Sequence, residues 1–213
     1  MFAHEMKIEH LRVVKMNGWQ RSFTWTETNL PFIPPSPNLP TSESVRRYVS
    51  TVFLEASTIS EGRGTTIPFS TFGAPWFGNG SNAVDLTREL NEKCCEEAAA
   101  CFRTNYYIPT WFKYNGSVVG GVQWIDSSSS PASFAVTSEL VLILMRSSNE
   151  SFRWDGSWFG WGDNTTLIDL YSGTSRFREA LLLDGVTGND VAKLFQDESD
   201  TFRDVTRLQF LLY

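Results

Sequence analysis

Histidine and cysteine are scarce in this sequence, and so are positive charges and long apolar runs. Two histidines and three cysteines among 213 residues argue against a zinc site and against a histidine-based catalytic triad. The 18 basic side chains are outnumbered by 24 acidic ones, and the net charge of −6 argues against nucleic acid as a partner. The longest apolar run, Leu140 to Met145, is far too short to span a bilayer. We therefore predict no metal, no cofactor, no nucleic-acid partner and no membrane span.

The cysteines and the start of the chain exclude two further features of small secreted proteins. Cys94, Cys95 and Cys101 are close together and odd in number, which is not the pattern of a disulfide framework. We expect them to be small apolar residues of one helix. The first residues hold no basic stretch followed by an apolar run, so no secretory signal is predicted.

Aromatic side chains are abundant, at 14% of the chain, with eight tryptophans among them. Most of these rings are expected in a core, because aromatic side chains dominate core packing. An acidic, tryptophan-rich chain nevertheless also suits flat, weakly charged ligands such as sugars. We take this as a first indication of a carbohydrate ligand.

Apolar periodicity predicts a mixture of helices and strands without regular βαβ alternation. Helices are predicted over 43–50, 83–102, 133–147, 174–183, 188–195 and 200–208. Strands are predicted over 8–16, 52–55, 118–125 and 166–170, the third with a glycine bulge or a close backbone approach. This mixture predicts an α+β fold, with residues 1–213 as a single domain.

Residues 28–42 contain five prolines and cannot form a helix or a central strand. A linker between domains is one interpretation. The interleaved apolar residues favour the other, a stiff loop packed on the protein surface. Its rigidity would hold Ser36 and Asn38 in place at low entropic cost.

The segment from Ser60 to Thr66 has the pattern most suggestive of a binding site. Gly62 and Gly64 flank Arg63, whose planar fork of five donors suits a carboxylate. The alternative is structural: Arg63 would pair with Glu61 or Glu55 within a turn. The residues alone leave these two interpretations open.

Three ordered motifs and the chain end carry a resemblance to a known family. They are PPSPNLPT at 34–41, LEASTISEGRGTTIPFSTFGAPW at 54–76, the P-T-x-x-K-Y-x-G…GGVQ pattern over 109–123, and the terminal LLY. From about residue 8 to Tyr213 the sequence resembles the C-terminal half of the exo-β-N-acetylmuramidase family, also called DUF1343.

The resemblance implies a fold, a function and a location. Family members cleave terminal N-acetylmuramic acid from the non-reducing end of peptidoglycan fragments in cell-wall recycling, outside the cytoplasm. They combine a Rossmann-like N-terminal domain with a C-terminal domain of barrel-like strands and helices, and the active site lies between the two. The expected fold is therefore α+β with a barrel-like sheet and packed helices, without the Rossmann-like half. That half could act as a separate partner.

The resemblance also suggests roles for individual residues. The lactyl carboxylate of muramic acid is a natural partner for an arginine. The predicted substrate-binding residues are Arg63, Glu61, Thr65, Thr66, Ser36, Asn38 and Trp76. Glycosidases generally need two carboxylates beside the scissile bond. Glu61 is a candidate catalytic residue, but the family's acid and base are expected mainly in the N-terminal half.

Some positions depart from the family's usual pattern. Residues 56–59 read Ala-Ser-Thr-Ile instead of Gly-Thr-Asn-Leu, and Val119 and Trp124 replace a cysteine and a histidine around the paired glycines. Three functional hypotheses follow. The chain is the substrate-cleft half of a muramidase-like hydrolase, truncated and inactive alone; it is a non-catalytic module that binds muropeptides; or it is a structural remnant.

Overall fold

The computed structural model describes residues 6–95, 101–125, 132–157, 160 and 166–210. These residues form two compact units. One contains the described residues up to Phe32 and those from Lys193 onwards, and the other runs from Ile33 to Ala192. The second unit contains the sheet and all the predicted site residues.

The sheet has three antiparallel strands in the described part of the chain: β1 (Thr71–Ala74), β2 (Phe102–Tyr107) and β3 (Val119–Trp124). Their spatial order is β1-β3-β2, so the last strand in sequence lies in the middle. The sheet is open, and the expected barrel-like closure is therefore wrong. The α+β class is confirmed.

Two consecutive glycines allow the middle strand to approach its neighbours closely. A Cβ at Gly121 would lie 2.1 Å from the carbonyl oxygen of Phe72 on β1. A Cβ at Gly120 would lie 2.4 Å from the backbone of Phe77. The predicted strand over 118–125 is confirmed, with a close backbone approach as the reason for its glycines.

Three longer helices in the second unit correspond to the helices predicted over 43–50, 83–102 and 133–147. They are α1 (Ser42–Thr51), α2 (Asn82–Cys94) and α3 (Phe134–Ser147). Thr41 caps α1 with a reciprocal capping box, and Ser133 caps α3. α2 packs against both the sheet and α3, and its apolar face enters the core. The shorter helices are α4 (Thr166–Ser172), α5 (Arg176–Ala180), α6 (Gly188–Lys193) and α7 (Gln196–Thr201).

Three of the predicted strands are wrong. Residues 8–16 have an exposed, irregular backbone, because no neighbouring strand in the described residues pairs with them. Val52–Ala56 forms a 3₁₀ turn that continues α1, although its residue types favour a strand. Residues 166–170 lie in the helix α4. Its buried residues Leu167 and Ile168 give the same short apolar pattern in the sequence as a buried strand.

The cysteines differ from their expected role. α2 ends at Cys94, earlier than the predicted end at residue 102, and residues 96–100 lie outside the described part. Cys95 and Cys101 are joined in a disulfide with their Cα atoms 5.8 Å apart. Only Cys94 is a free thiol; it is half-buried, and the loss of solvation raises its pKa to about 12.

The described residues hold neither a helix that is long and apolar enough to cross a membrane nor a group of three or more metal-ligating side chains.

A buried charge cluster as the candidate functional site

Two acidic and two basic side chains form one ion-pair cluster around the Ser60–Thr66 segment. We call Glu55, Glu61, Arg63 and Lys113 the charge cluster. Glu61 is fully buried and lies between two cations: its carboxylate is 3.1 Å from Lys113 Nζ and 3.0 Å from Arg63 Nε. Arg63 also pairs with Glu55 through its terminal nitrogen. The cluster has two positive and two negative charges, so it is neutral as a whole.

Lys113 connects the cluster to the backbone of the 3₁₀ turn. Its side chain is 1% exposed, and its Nζ donates hydrogen bonds to the carbonyl oxygens of Leu54 (2.9 Å), Glu55 (3.2 Å) and Ile59 (2.9 Å). Burial lowers the pKa of Lys113, while the Glu61 carboxylate acts in the opposite direction. The turn is stable at this place because a distant cation satisfies its buried carbonyls.

The glycines on either side of Arg63 allow this segment to pack closely against the backbone of Thr71 and Trp111. A Cβ at Gly62 would lie 2.4 Å from the carbonyl oxygen of Thr71, and one at Gly64 would lie 2.5 Å from that of Trp111. Both glycines have positive φ, at 82° and 79°. Arg63 is thereby fixed between the start of β1 and the loop after β2.

Two aromatic rings flank the Arg63 guanidinium. Its central carbon lies 5.1 Å from the ring centre of Phe69 and 5.6 Å from that of Phe112, within the range of cation–π attraction. Both phenylalanines adopt a left-handed backbone, with φ of 61° and 71°. Such conformations are strained for these residues and concentrate at functional sites. The surrounding fold therefore holds both rings in place against a local energetic cost.

Tyr171 of α4 completes the surroundings of Glu55. Its hydroxyl donates a hydrogen bond of 2.6 Å to the carboxylate. Burial, together with this bond and the Glu55 charge, raises the pKa of Tyr171. Glu55 is 3% exposed and is thus paired with both a cation and a phenol.

Sequence reasoning found Glu55, Glu61 and Arg63 but missed their partners. Lys113 lies in the P-T-x-x-K-Y-x-G motif, which could have indicated it. Nothing in the sequence around Tyr171 indicated a contact 116 residues away.

The predicted hydroxyl and amide ligands have mostly local roles. Thr65 donates a 2.6 Å hydrogen bond to the carbonyl oxygen of Gly62 and so stabilises the turn, while Thr66 is exposed. Ser36 accepts a bond from the backbone N–H of Asn38 at 3.2 Å within the proline-rich loop. In the described part of the chain, neither Ser36 nor Asn38 has a hydrogen bond to the charge cluster. Their predicted contact with substrate stays a prediction.

Trp76 lies outside the charge cluster, in a helical turn (Pro75–Gly78) after β1. Its indole N–H donates to Ser148 Oγ at 3.1 Å, and its ring meets that of Tyr114 edge to face. It lines an open cavity of about 630 Å³ together with Asn82 and residues 147–151.

The geometry suits a fixed recognition element better than a catalytic acid and base. Each buried carboxylate of the charge cluster is paired with at least one cation. A general acid or base must reach the substrate atom with which it exchanges a proton, and these two carboxylates have almost no exposed surface. The arrangement can present one arginine edge, since the Arg63 side chain is 16% exposed.

Comparison with known proteins places this chain among muramidase-like proteins of peptidoglycan. The sequence profile described as "Exo-beta-N-acetylmuramidase NamZ, C-terminal" matches residues 46–213, and the N-terminal profile of the same family matches residues 1–43. The chain therefore belongs to the NamZ family of exo-β-N-acetylmuramidases, and the resemblance seen in its motifs is confirmed.

Individual relatives agree with this assignment. The chain is 40% identical, over 124 residues, to the peptidoglycan β-N-acetylmuramidase NamZ of Bacillus subtilis (strain 168), a match covering 58% of this chain and 28% of that protein. It is also similar to the crystal structure of a DUF1343 family protein from Bacteroides fragilis, with a TM-score of 0.72 and 29% identity over 95% of this chain and 50% of the other. A second Bacteroides fragilis DUF1343 structure, 19% identical with a TM-score of 0.56, shares the fold over 84% of this chain and 43% of its own.

Proposed function

We propose that this chain provides the substrate-recognising part of an exo-β-N-acetylmuramidase acting on peptidoglycan fragments. Membership of the NamZ family supports a muramic acid substrate. The observation that carries the proposal is the fixed presentation of Arg63, between Phe69 and Phe112 and between two carboxylates.

Arg63 is proposed to contact the lactyl carboxylate of N-acetylmuramic acid. Guanidinium groups bind carboxylates through paired, charge-assisted hydrogen bonds. The lactyl carboxylate would be a third carboxylate beside the neutral charge cluster. It would compete with Glu55 for Arg63. Tyr171, which also binds Glu55, leaves that carboxylate a hydrogen bond when a substrate carboxylate shares the Arg63 guanidinium.

The catalytic acid and base are proposed to lie outside the charge cluster. Glu61, the candidate from the sequence, is 0% exposed and lies between Lys113 and Arg63. A general acid or base must lie within hydrogen-bond reach of the reacting atoms of the substrate, and a carboxylate without exposed surface does not. Turnover would then require carboxylates from the family's N-terminal domain, and this chain would be inactive without them.

A non-catalytic muropeptide-binding module is the second candidate. It is favoured by a different observation, the pairing of both buried carboxylates of the motif with cations. The two candidates predict the same binding by Arg63 and differ only in whether the chain takes part in hydrolysis.

Binding of two matched glycosides tests the role of Arg63. The methyl glycosides of N-acetylmuramic acid and N-acetylglucosamine differ in the lactyl group. We expect the chain to prefer the muramic acid glycoside and Arg63→Ala to remove that preference, with a loss of about tenfold or more. Arg88→Ala, which breaks an exposed ion pair on α2, is the matched control and should change neither affinity.

A purely structural Arg63 predicts a different result. In that case Arg63→Ala would lower the unfolding temperature and weaken both glycosides equally, or the unmodified chain would show no preference between them. Either result would contradict the proposed contact with the lactyl carboxylate.

A further inference from the structure

The cavity beside Trp76 has the chemistry of a site for an uncharged saccharide unit. Its described lining consists of one aromatic residue and six polar ones: Trp76, Asn82, Ser147, Ser148, Asn149, Glu150 and Ser151. Its volume of about 630 Å³ lies in the range of small-molecule sites. An aromatic ring among hydroxyl and amide groups offers an apolar surface for a pyranose ring and hydrogen-bond partners for its hydroxyls.

The ring of Trp76 is held in a fixed orientation. Its indole N–H donates to Ser148 Oγ at 3.1 Å, and its backbone carbonyl accepts a 3.0 Å bond from Asn82. The rings of Phe77 and Tyr114 lie 5.9 and 6.2 Å from it, centre to centre. A ring held by three neighbours, on a backbone held by a fourth, loses little conformational entropy when a ligand stacks on it.

The charge around the cavity disfavours an anionic ligand. Ser147 is the last residue of α3 and residues 148–151 follow it, at the end where the helix dipole is negative. Among the described lining residues Glu150 carries the only charge, and Glu89 lies close by, accepting a 3.4 Å bond from Ser147 Oγ. Arg146, the basic residue of the last turn, donates to the carbonyl oxygen of Val186 instead.

We propose that this cavity, which we call the Trp76 site, binds a neutral sugar unit of the glycan and excludes the carboxylate-bearing one. The proposal rests on the proposed function only in taking the ligand to be a saccharide. Arg63 and the Trp76 site would then bind two different sugar units, an anionic one and a neutral one. This difference in charge would determine which unit of the substrate lies at which site.

The test is calorimetric titration of the full chain with N,N′-diacetylchitobiose, a neutral saccharide, and with the anionic methyl glycoside of N-acetylmuramic acid. We expect chitobiose to bind, and Trp76→Ala to weaken it by about tenfold. Because Trp76→Ala could also disturb the fold, Ser151→Trp serves as a second variant that fills the cavity from an exposed position. Ser199→Trp, exposed on α7, is its control and should leave binding unchanged.

A charge reversal tests the selectivity. Glu150→Lys should strengthen binding of the muramic acid glycoside severalfold, since it removes an exposed negative charge from the cavity lining and adds a positive one. Glu92→Lys, an exposed reversal on α2, is the matched control. Absence of chitobiose binding, or binding unaffected by both Trp76→Ala and Ser151→Trp, would overturn the inference. The effect of Arg63→Ala on the muramic acid glycoside would still report separately on the proposed function.

Discussion

Among single residues, Lys113 links parts of the chain that are far apart in sequence. Its ammonium group bonds the carbonyl oxygens of Leu54 and Ile59, more than 50 positions away, and pairs with the buried Glu61. A buried charge that loses its partner is strongly destabilising, whereas the intact pair contributes little net stability. The role of Lys113 is therefore best seen by removing it alone.

Lys113→Met is expected to lower the free energy of unfolding by about 3–5 kcal/mol, measured by urea denaturation. Lys93→Met, an exposed change near the end of α2, should cost no more than about 0.5 kcal/mol. The double variant Lys113→Met with Glu61→Gln should recover part of the loss, since without Lys113 the two carboxylates share one arginine, and the second change removes the excess negative charge. Equal costs for Lys113→Met and Lys93→Met would contradict the buried ion pair.

Tyr114 gives the stability a dependence on alkaline pH. Its hydroxyl donates a 2.6 Å bond to the carbonyl oxygen of Thr58, and burial together with the Asp155 charge raises the pKa of Tyr114 to about 12. The unfolded chain releases this proton near pH 10, so between about pH 10 and 12 the folded state binds more protons. Stability should therefore fall as the pH rises through that window.

Tyr114→Phe should make this alkaline decrease shallower, as measured by urea midpoints from pH 8 to 11. Some decrease should persist, because burial also raises the pKa of Tyr107 and of Tyr171. An unchanged slope in Tyr114→Phe would show that this phenol does not contribute.

Among the elements, α1 supports the site through its last turn. Thr51 donates a 3.1 Å bond to the carbonyl oxygen of Phe69, whose ring packs on Arg63. Thr41→Ala removes the cap of this helix and should cost about 1 kcal/mol, while Thr41→Ser should retain most of the stability. Thermal unfolding of the three proteins measures the difference. A Thr41→Ser protein as unstable as Thr41→Ala would contradict the capping role.

Gly121 determines how closely β3 can pair with β1. Gly121→Ala would place a Cβ within 2.1 Å of the Phe72 carbonyl oxygen and should destabilise the fold by about 1–3 kcal/mol or more, as judged by urea denaturation. Gly78→Ala is the control, because its Cβ would meet nothing nearer than 3.6 Å. Tolerance of alanine at both positions would contradict the close approach.

Elements with a local signal were predictable, and those that depend on distant partners were not. Apolar periodicity predicted α1 over 43–50 and α3 over 133–147, and each helix begins at a side-chain cap, Thr41 or Ser133. Residues 52–55 were predicted as a strand because Val and Phe favour strands, but they lie in a 3₁₀ turn whose Leu54 carbonyl oxygen binds Lys113, 59 positions away. At the site, the pairing of Arg63 with Glu61 and Glu55 was one of the two interpretations of its segment, whereas the Tyr171 contact is a product of tertiary packing.

At the scale of the whole molecule, we propose that this chain recognises the substrate and that hydrolysis needs a second domain as well. The chain matches 28% of the length of the Bacillus subtilis muramidase and 50% of a related Bacteroides fragilis structure. Glu55 and Glu61 are paired with cations, and Arg63 is held between two aromatic rings. A complementary N-terminal domain from a relative should therefore restore a complete cleft.

The most direct measurement is release of N-acetylmuramic acid from a chromogenic glycoside. The purified chain is assayed alone, and then mixed with the separately expressed N-terminal domain of a related NamZ enzyme. We expect release only in the mixture, with a marked loss for Arg63→Ala. Release by the chain alone would contradict the proposal that the catalytic carboxylates lie outside this chain, since Glu61 or Glu55 would then serve as catalytic carboxylates.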